Sequence, residues 1–164
     1  MALSREDMDR KIDEHFGFEA ADNVEGVLAT LAPDVEHDIV GWPAGPTHGR
    51  EGARPFYNAL FADLSDGKVE CLKRLYGGNF LIDESMWRGR APGRPFGLEG
   101  RDRPLAFRLL HVVEFTESGD IGREIDLINQ YRDLALQPEV DEAISDIINE
   151  MDILNAYEME DEDE

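Results

Sequence analysis

From position 53 onward the apolar residues Ala53, Phe56, Tyr57, Leu60, Phe61 and Leu64 recur with helical spacing, so the segment opening near Arg50 predicts an amphipathic helix with one broad buried face. Pro55 falls in its first turns, where a missing amide costs little, and Asp66-Gly67 reads as its terminator. Upstream, Ser4 followed by Glu6 and Asp7 has the form of a helix N-cap with acids in the first turn. Met8, Ile12 and His15 or Phe16 share one face of the helix it opens, and Gly17 is expected to break that helix near His15. A second short helix, capped by Asp22 or Asn23, carries Val24, Val27, Leu28 and Leu31 and stops before Pro33.

The pattern then changes period. Val35 to Val40 reads as a short strand, followed by the Gly- and Pro-dense loop GWPAGPTHG. Lys68 to Tyr76 and Asn79 to Arg90 read as two strands joined at Gly77-Gly78. Between Ala91 and Pro104 three prolines and three glycines predict an irregular segment, a flap over one end of the sheet. Beyond Pro138 a stripe of Val140, Ile144, Ile147 or Ile148, Met151 and Leu154 predicts a C-terminal helix to about Tyr157.

The strongest β signal is the hairpin from Arg103 to Tyr131, closed at Glu117-Ser118-Gly119-Asp120. A two-residue Ser118-Gly119 loop would pair residues whose numbers sum to 237, setting Glu114 opposite Arg123 and His111 opposite Asp126. Alternation places Phe107, Leu109, His111, Val113 and Phe115 on one face, joined by Glu124, Asp126 and Ile128 across the turn. One imidazole and two carboxylates then share an otherwise apolar surface, the composition of an acid–base pocket.

Composition narrows the partners. The chain is 164 residues long, one domain's worth, with 41% apolar residues and a formal net charge of −21. Part of that charge lies in the terminal EMEDEDE, so the reading is one domain over 1–157 and a disordered acidic tail over 158–164. Excess carboxylate repels phosphate backbones and anionic membranes, so neither nucleic acid nor membrane is an expected partner. Cys71 is the sole cysteine, which excludes an internal disulfide and any CxxC site, and Val69, Leu72 and Leu75 predict that it is a buried thiol on a strand. MALSREDMDRK lacks the apolar core of a signal peptide, and no apolar run reaches the ~20 residues of a membrane span, so a cytoplasmic location is expected.

No GxGxxG, GxxxxGK(S/T) or GxSxG pattern occurs, which removes dinucleotide, P-loop and α/β-hydrolase chemistry. His37 and Asp38 are consecutive in a strand and point to opposite faces, so Glu36-His37-Asp38 is no compact metal site. His15 and His48 are expected at the surface. No metal and no other cofactor is expected.

Val35-Glu36-His37-Asp38, Gly49-Arg50-Glu51-Gly52 leading to Phe56-Tyr57, and Pro104-Leu105-Ala106-Phe107-Arg108 running into His111-Val112-Val113-Glu114-Phe115 and Ile121 to Asp126 together resemble the SnoaL-like polyketide cyclases of the NTF2-like superfamily. The resemblance covers about residues 5 to 136. It implies an α+β cone: a curved antiparallel sheet wrapped around a long helix, with two short N-terminal helices, to which this chain adds an extra C-terminal helix. It also implies a pocket between helix and sheet, a homodimer, and an aspartate–histidine pair on neighbouring strands that closes a ring by an aldol-type step without cofactor. His111 and Asp126 match that pair, with Asp133 the alternative position for the aspartate.

The resulting expectation is a cofactor-free acid–base enzyme that abstracts a proton α to the carbonyl of a small hydrophobic molecule, leading to cyclisation or isomerisation. Asp126 would be the base, its pKa raised by desolvation, and His111 the acid or electrostatic partner. Trp42, Tyr57, Trp87, Phe107, Glu124 and His37 would line the ligand site. Epoxide hydration or dehydration would use the same groups. The open alternative is a non-catalytic ligand binder or dimeric adaptor of the same fold.

Overall fold

Ser4 caps the first helix by accepting a hydrogen bond from the Asp7 amide at 3.1 Å. A computed structural model of the chain describes residues 3–40, 44–97 and 99–127. Trp42, Ile128, Tyr131, Asp133, the expected helix near 138–157 and the acidic tail all lie outside the described residues. Helix α1 spans Arg5–Ala20. It passes through Gly17, because that glycine faces solvent while Phe16 and Phe18 on either side pack on the core. That packing outweighs the ~1 kcal/mol a mid-helix glycine costs. Helix α2 is Val24–Thr30, capped by Asn23, whose side chain accepts from the Gly26 amide at 3.0 Å. Gly26 lets α1 and α2 approach closely, since a Cβ there would sit 2.3 Å from the Phe18 ring.

Strand β1, Leu31–Ile39, follows α2 at once and so begins earlier than its apolar pattern predicts. The two-residue β2, Thr47–His48, pairs with it, and α3, Arg50–Asp63, buries Ala53, Phe56 and Tyr57. Asp66-Gly67, expected to terminate α3, instead lies inside β3, Ser65–Tyr76, as a bulge between the Ser65–Arg90 and Lys68–Arg88 pairs. Strands β4, Phe80–Ala91, β5, Arg103–Phe115, and β6, Ile121–Asp126, complete an open six-stranded sheet in the order β2-β1-β6-β5-β4-β3. All its pairs are antiparallel except β1 with β6. The segment between β4 and β5 carries one 3₁₀ turn at Pro95–Gly97.

The β5–β6 register sums to 237 from His111–Asp126 to Glu114–Arg123, and Arg123 meets Glu114 at 3.2 Å. Nearer the turn it shifts. The Thr116 amide donates to the Asp120 carbonyl and Phe115 pairs with Ile121, leaving the three-residue loop 117–119 with Gly119 at φ 88°. A bulge beside Gly122 absorbs the extra residue, so Ile121 and Glu124 are both buried. The core gathers Met8, Ile12, Val27, Tyr57, Leu81, Phe107 and Val113 between the three helices and the inner face of the sheet. Cys71 is exposed rather than buried, because β3 is an edge strand whose Val69, Leu72 and Leu75 are 45–50% exposed. No helix among the described residues is long and apolar enough to cross a membrane.

Candidate active site

Alternation along β5 and β6 turns His111, Val113, Glu124 and Asp126 to the inner face, with His111 opposite Asp126 and Val113 opposite Glu124. β4 sets Asp83 beside His111 and Trp87 beside Phe107, and β1 sets His37 beside Glu124. Helices α1 and α3 stand over this surface and leave a cavity of about 320 Å³. Phe16 and Glu19 of α1 and Phe56, Leu60 and Phe61 of α3 form its helical side. Trp87, Phe107, Leu109, His111 and Asp126 form the sheet side. Trp87 and Phe107 stack with centroids 5.0 Å apart, and the Phe16 ring lies 4.7 Å from the His111 ring.

His111 and Asp126 are 4% and 5% exposed. Nε2 of His111 is 3.6 Å from Oδ1 of Asp126, and Nδ1 is 3.7 Å from Oδ1 of Asp83. Both are ion-pair separations, too long for hydrogen bonds. Asp83 is held more firmly: it accepts from Arg74 Nε at 2.8 Å and from the Ser85 hydroxyl, while Arg74 also clamps Asp9 and Asp13 of α1. Burial pushes the Asp83 carboxyl up, but His111, Arg74 and Ser85 outweigh it and hold it below the usual carboxylate range. Burial likewise pushes His111 down, and the carboxyls of Asp126 and Asp83 reverse this, raising it to about 9. Asp126 moves the other way. Burial, then the nearby charges of Glu124 and Glu19, push it well above the usual carboxylate range against the pull of His111. Since Asp83 already serves as the imidazolium's counter-ion, Asp126 is the group that keeps its proton.

Behind the cavity lies a second, closed polar cluster. Thr30 gives its hydroxyl proton to the Val27 carbonyl, so at 2.6 Å it must accept from Nδ1 of His15. Nε2 of His15 is 3.4 Å from Glu124 and 3.4 Å from Glu19. Both ring nitrogens therefore face acceptors, the arrangement of an imidazolium. Burial lowers His15, and Glu124 and Glu19 outweigh it, raising it to about 10. Glu124, pushed up by burial, is brought down to about 2 by His15. Tyr57 donates to Glu124 at 3.3 Å and accepts from His37 at 3.2 Å. Burial pushes Tyr57 up and His37 down, which keeps both neutral.

The structure thus places four of the expected residues, His111, Asp126, Trp87 and Phe107, on the cavity wall. Tyr57, Glu124 and His37 sit in the cluster behind it, and His37 also borders a smaller cavity of about 70 Å³ near Thr47 and Pro55. Sequence reasoning placed His15 at the surface, whereas it is 0% exposed, because the helix face of Met8 and Ile12 continues through it into the core. Asp83 and Arg74 likewise belong to the site without a sequence pattern that singles them out. Leu81, Asp83, Ser85 and Trp87 do alternate, but Ile82 and Met86 make the opposite phase equally apolar. Among the described residues no group of three or more His, Cys, Asp or Glu side chains could hold a metal ion.

The SnoaL-like domain profile matches residues 12–124, and the chain belongs to that family. A T4-like phage portal profile matches residues 124–160, under a quarter of the chain, which is too little to show membership. No curated relative matches the sequence. Among solved structures, TsrD from Streptomyces laurentii is 17% identical with TM-score 0.68, over 82% of this chain and 94% of that one. The epoxide hydrolase/cyclase-like enzyme SalBIII, with a role in pyran ring formation in the polyether salinomycin, is 13% identical with TM-score 0.63, over 76% and 92%. A protein of ketosteroid isomerase-like fold from Catenulispora acidiphila, in complex with trimethylamine, is 17% identical with TM-score 0.58, over 71% and 83%. At these identities the likeness establishes the NTF2-like α+β fold.

Proposed function

We propose that the protein is an acid–base enzyme that removes a proton α to the carbonyl of a small hydrophobic compound, without a cofactor, and so drives a cyclisation or isomerisation. One observation carries the reading: Asp126 lines the cavity, and its buried Oδ1, 3.6 Å from an imidazole, lacks a hydrogen-bond partner among the described residues. Unpaired buried polar atoms are costly and mark places where a ligand completes the bonding. In this scheme Asp126 is the base. Its raised proton affinity makes it effective once ionised, and His111, charged and backed by Asp83, steadies the oxyanion of the developing enolate. Phe107 and Trp87 bind the flat part of the substrate. The ring-forming role of SalBIII supports this class of reaction, and the trimethylamine of the Catenulispora protein argues for including amine-bearing compounds in the first substrate panel.

The rate should rise with pH as Asp126 ionises and fall again as His111 loses its proton near 9. Exchange of α-protons for deuterium in a panel of cyclic and aromatic ketones and ketoesters tests the proposal directly. Asp126-dependent exchange supports it; binding with no exchange in wild type or in Asp126→Asn would make the protein a ligand binder. A homodimer belongs to the same proposal. Leu75, Ile82, Val112 and Ile125 form an apolar row across four strands on the outer face of the sheet, and Leu75 is 50% exposed. Sedimentation of Ile82→Lys against wild type measures it.

A further inference from the structure

The charge of the cavity lining says more about the ligand than its shape does. Its described residues include four carboxyl groups, Glu19, Asp22, Asp66 and Asp126, and a single imidazole, but no lysine or arginine. Five aromatic rings share the same walls, among them Trp87 and Phe107, which stack on each other with centroids 5.0 Å apart. Such a lining disfavours an anion. An acidic rim by itself would mean only a solvated surface, but here a second feature lies deeper. Asp126, 5% exposed, lines the cavity, and its buried Oδ1 has no hydrogen-bond partner among the described residues.

We propose that the ligand of this cavity is an organic cation, an ammonium-bearing hydrophobic molecule whose charged nitrogen sits between the aromatic walls and the free oxygen of Asp126. Aromatic faces attract such a charge through their quadrupoles, and a tertiary or quaternary ammonium is weakly hydrated enough to enter a largely apolar space. This inference shares its site with the catalytic proposal and names the substrate class: a carbonyl compound carrying an amine. It also resolves how a buried acid that holds its proton becomes a base. The groups facing Asp126 are Glu19 and His15 from α1, Tyr57 from α3, Asp83 from β4, His111 from β5, and its neighbours Glu124 on β6 and His37 on β1, with Asp22 and Asp66 at the rim. Of the two cations, His15 is occupied by Glu124 and Glu19, and His111 by Asp83. An incoming ammonium is the missing positive charge. On its arrival Asp126 releases one proton to solvent and becomes the carboxylate, so the substrate itself arms the base.

Isothermal titration of the full chain with benzyltrimethylammonium and with its neutral isostere neopentylbenzene tests this at about pH 6, 7 and 8. The cation should bind at least about tenfold more tightly than the isostere. Its affinity should climb by up to about tenfold per pH unit while Asp126 is still protonated, with about one proton released as read from buffers of different ionisation enthalpy. Asp126→Asn should abolish the proton release, and Trp87→Leu, a change at the half-buried mouth, should erase most of the preference for the cation while the fold remains intact by circular dichroism. Equal or tighter binding of neopentylbenzene, or cation binding with no proton release, would overturn the inference. The two readings separate in the exchange panel. Neutral ketones turned over in an Asp126-dependent way, with no cation binding, leave the enzyme and remove the cation. Cation binding with no exchange of any ketone, amine-bearing or neutral, leaves the cation and removes the enzyme.

Discussion

Glu124 and Asp126 are two residues apart on one strand, turn to the same face and are equally enclosed, yet they belong to opposite kinds of environment. Glu124 is surrounded by His15, Tyr57 and the His37 behind it, all within 3.2–3.4 Å of one another along the chain of contacts. It stays ionised because a matched charge was buried with it. Asp126 meets one imidazole that is already claimed by Asp83, its Oδ1 has no hydrogen-bond partner among the described residues, and the residue lines the cavity. Burial without compensation raises its proton affinity; burial with compensation lowers that of Glu124. A carboxylate that faces its own buried imidazolium holds the fold together. One that shares its imidazolium with a second carboxylate and lines a cavity is available for chemistry.

The largest effect that would break this contrast is on turnover. Asp126→Asn should lower the rate of α-proton exchange about 10³-fold, while near neutral pH it should not lower stability, because Asn needs no proton held on it against the unfolded carboxylate. A urea titration beside the rate assay checks both. Equal losses of rate and stability would mean that the two carboxylates are alike after all. Glu124→Leu should do the reverse to stability, lowering it by about 3 kcal/mol by leaving the His15 imidazolium buried and unpaired. The double variant His15→Leu with Glu124→Leu should regain most of that loss, since apolar replacement of a whole buried pair is close to neutral.

The pH dependence of stability sharpens the contrast next. His15 and His111 have folded pKa values raised to about 10 and about 9, so their contributions are complete below about 6.5, the unfolded value. They are lost as pH rises through the folded values. Asp126, also raised, binds its proton more tightly when folded, so it too favours stability at low pH and loses it as pH climbs. Unfolding free energy should therefore fall from near neutral pH to about 10, by about 1.4 kcal/mol per pH unit for each proton involved. Asp126→Asn should flatten the slope without reversing it. Glu124, depressed to about 2, contributes above about 4.5 and is lost only as pH falls towards 2.

A smaller effect distinguishes the partners of His111. In an NMR titration at pH values where Asp126 still holds its proton, the His111 pKa should drop more in Asp83→Asn than in Asp126→Asn, because only the Asp83 carboxyl is ionised there. The reverse order would make Asp126 the counter-ion and remove it as the proton-holding group. Smallest of all, His37→Gln keeps a donor for Tyr57 and should change stability by less than about 1 kcal/mol, with the exchange rate unaltered.

Much of this architecture could be read before any coordinates. The stripe from Ala53 to Leu64 announces α3, and the alternation through Phe107, Leu109, His111 and Val113 announces a half-buried β5, since each periodicity states which face is shielded from water. The register that brings His111 against Asp126 followed from a turn of the right composition, even though the turn itself has three residues and a compensating bulge. β4 is less legible: Asp83 lies on a strand whose two faces are both apolar, so no pattern chooses its side. His15 occupied the correct helical face in the sequence, yet a polar residue on an apolar stripe does not reveal whether a partner 109 positions later will be waiting for it. Cys71 misled for a related reason, because apolar neighbours imply burial only if another strand or helix covers them, and β3 is an edge.

By itself, then, the sequence determined the local elements, the pairing of β5 with β6, and the set of groups capable of acid–base work. These depend on short-range periodicity and turn chemistry, which neighbouring residues encode directly. Which carboxylate would be neutralised by a buried cation and which would be left facing a cavity was decided only in three dimensions. That choice depends on α1 laying His15 on Glu124 and on β3 delivering Arg74 to Asp83, contacts between residues far apart in the chain. Desolvation and pairing act at distances of a few ångströms, whatever the separation in sequence.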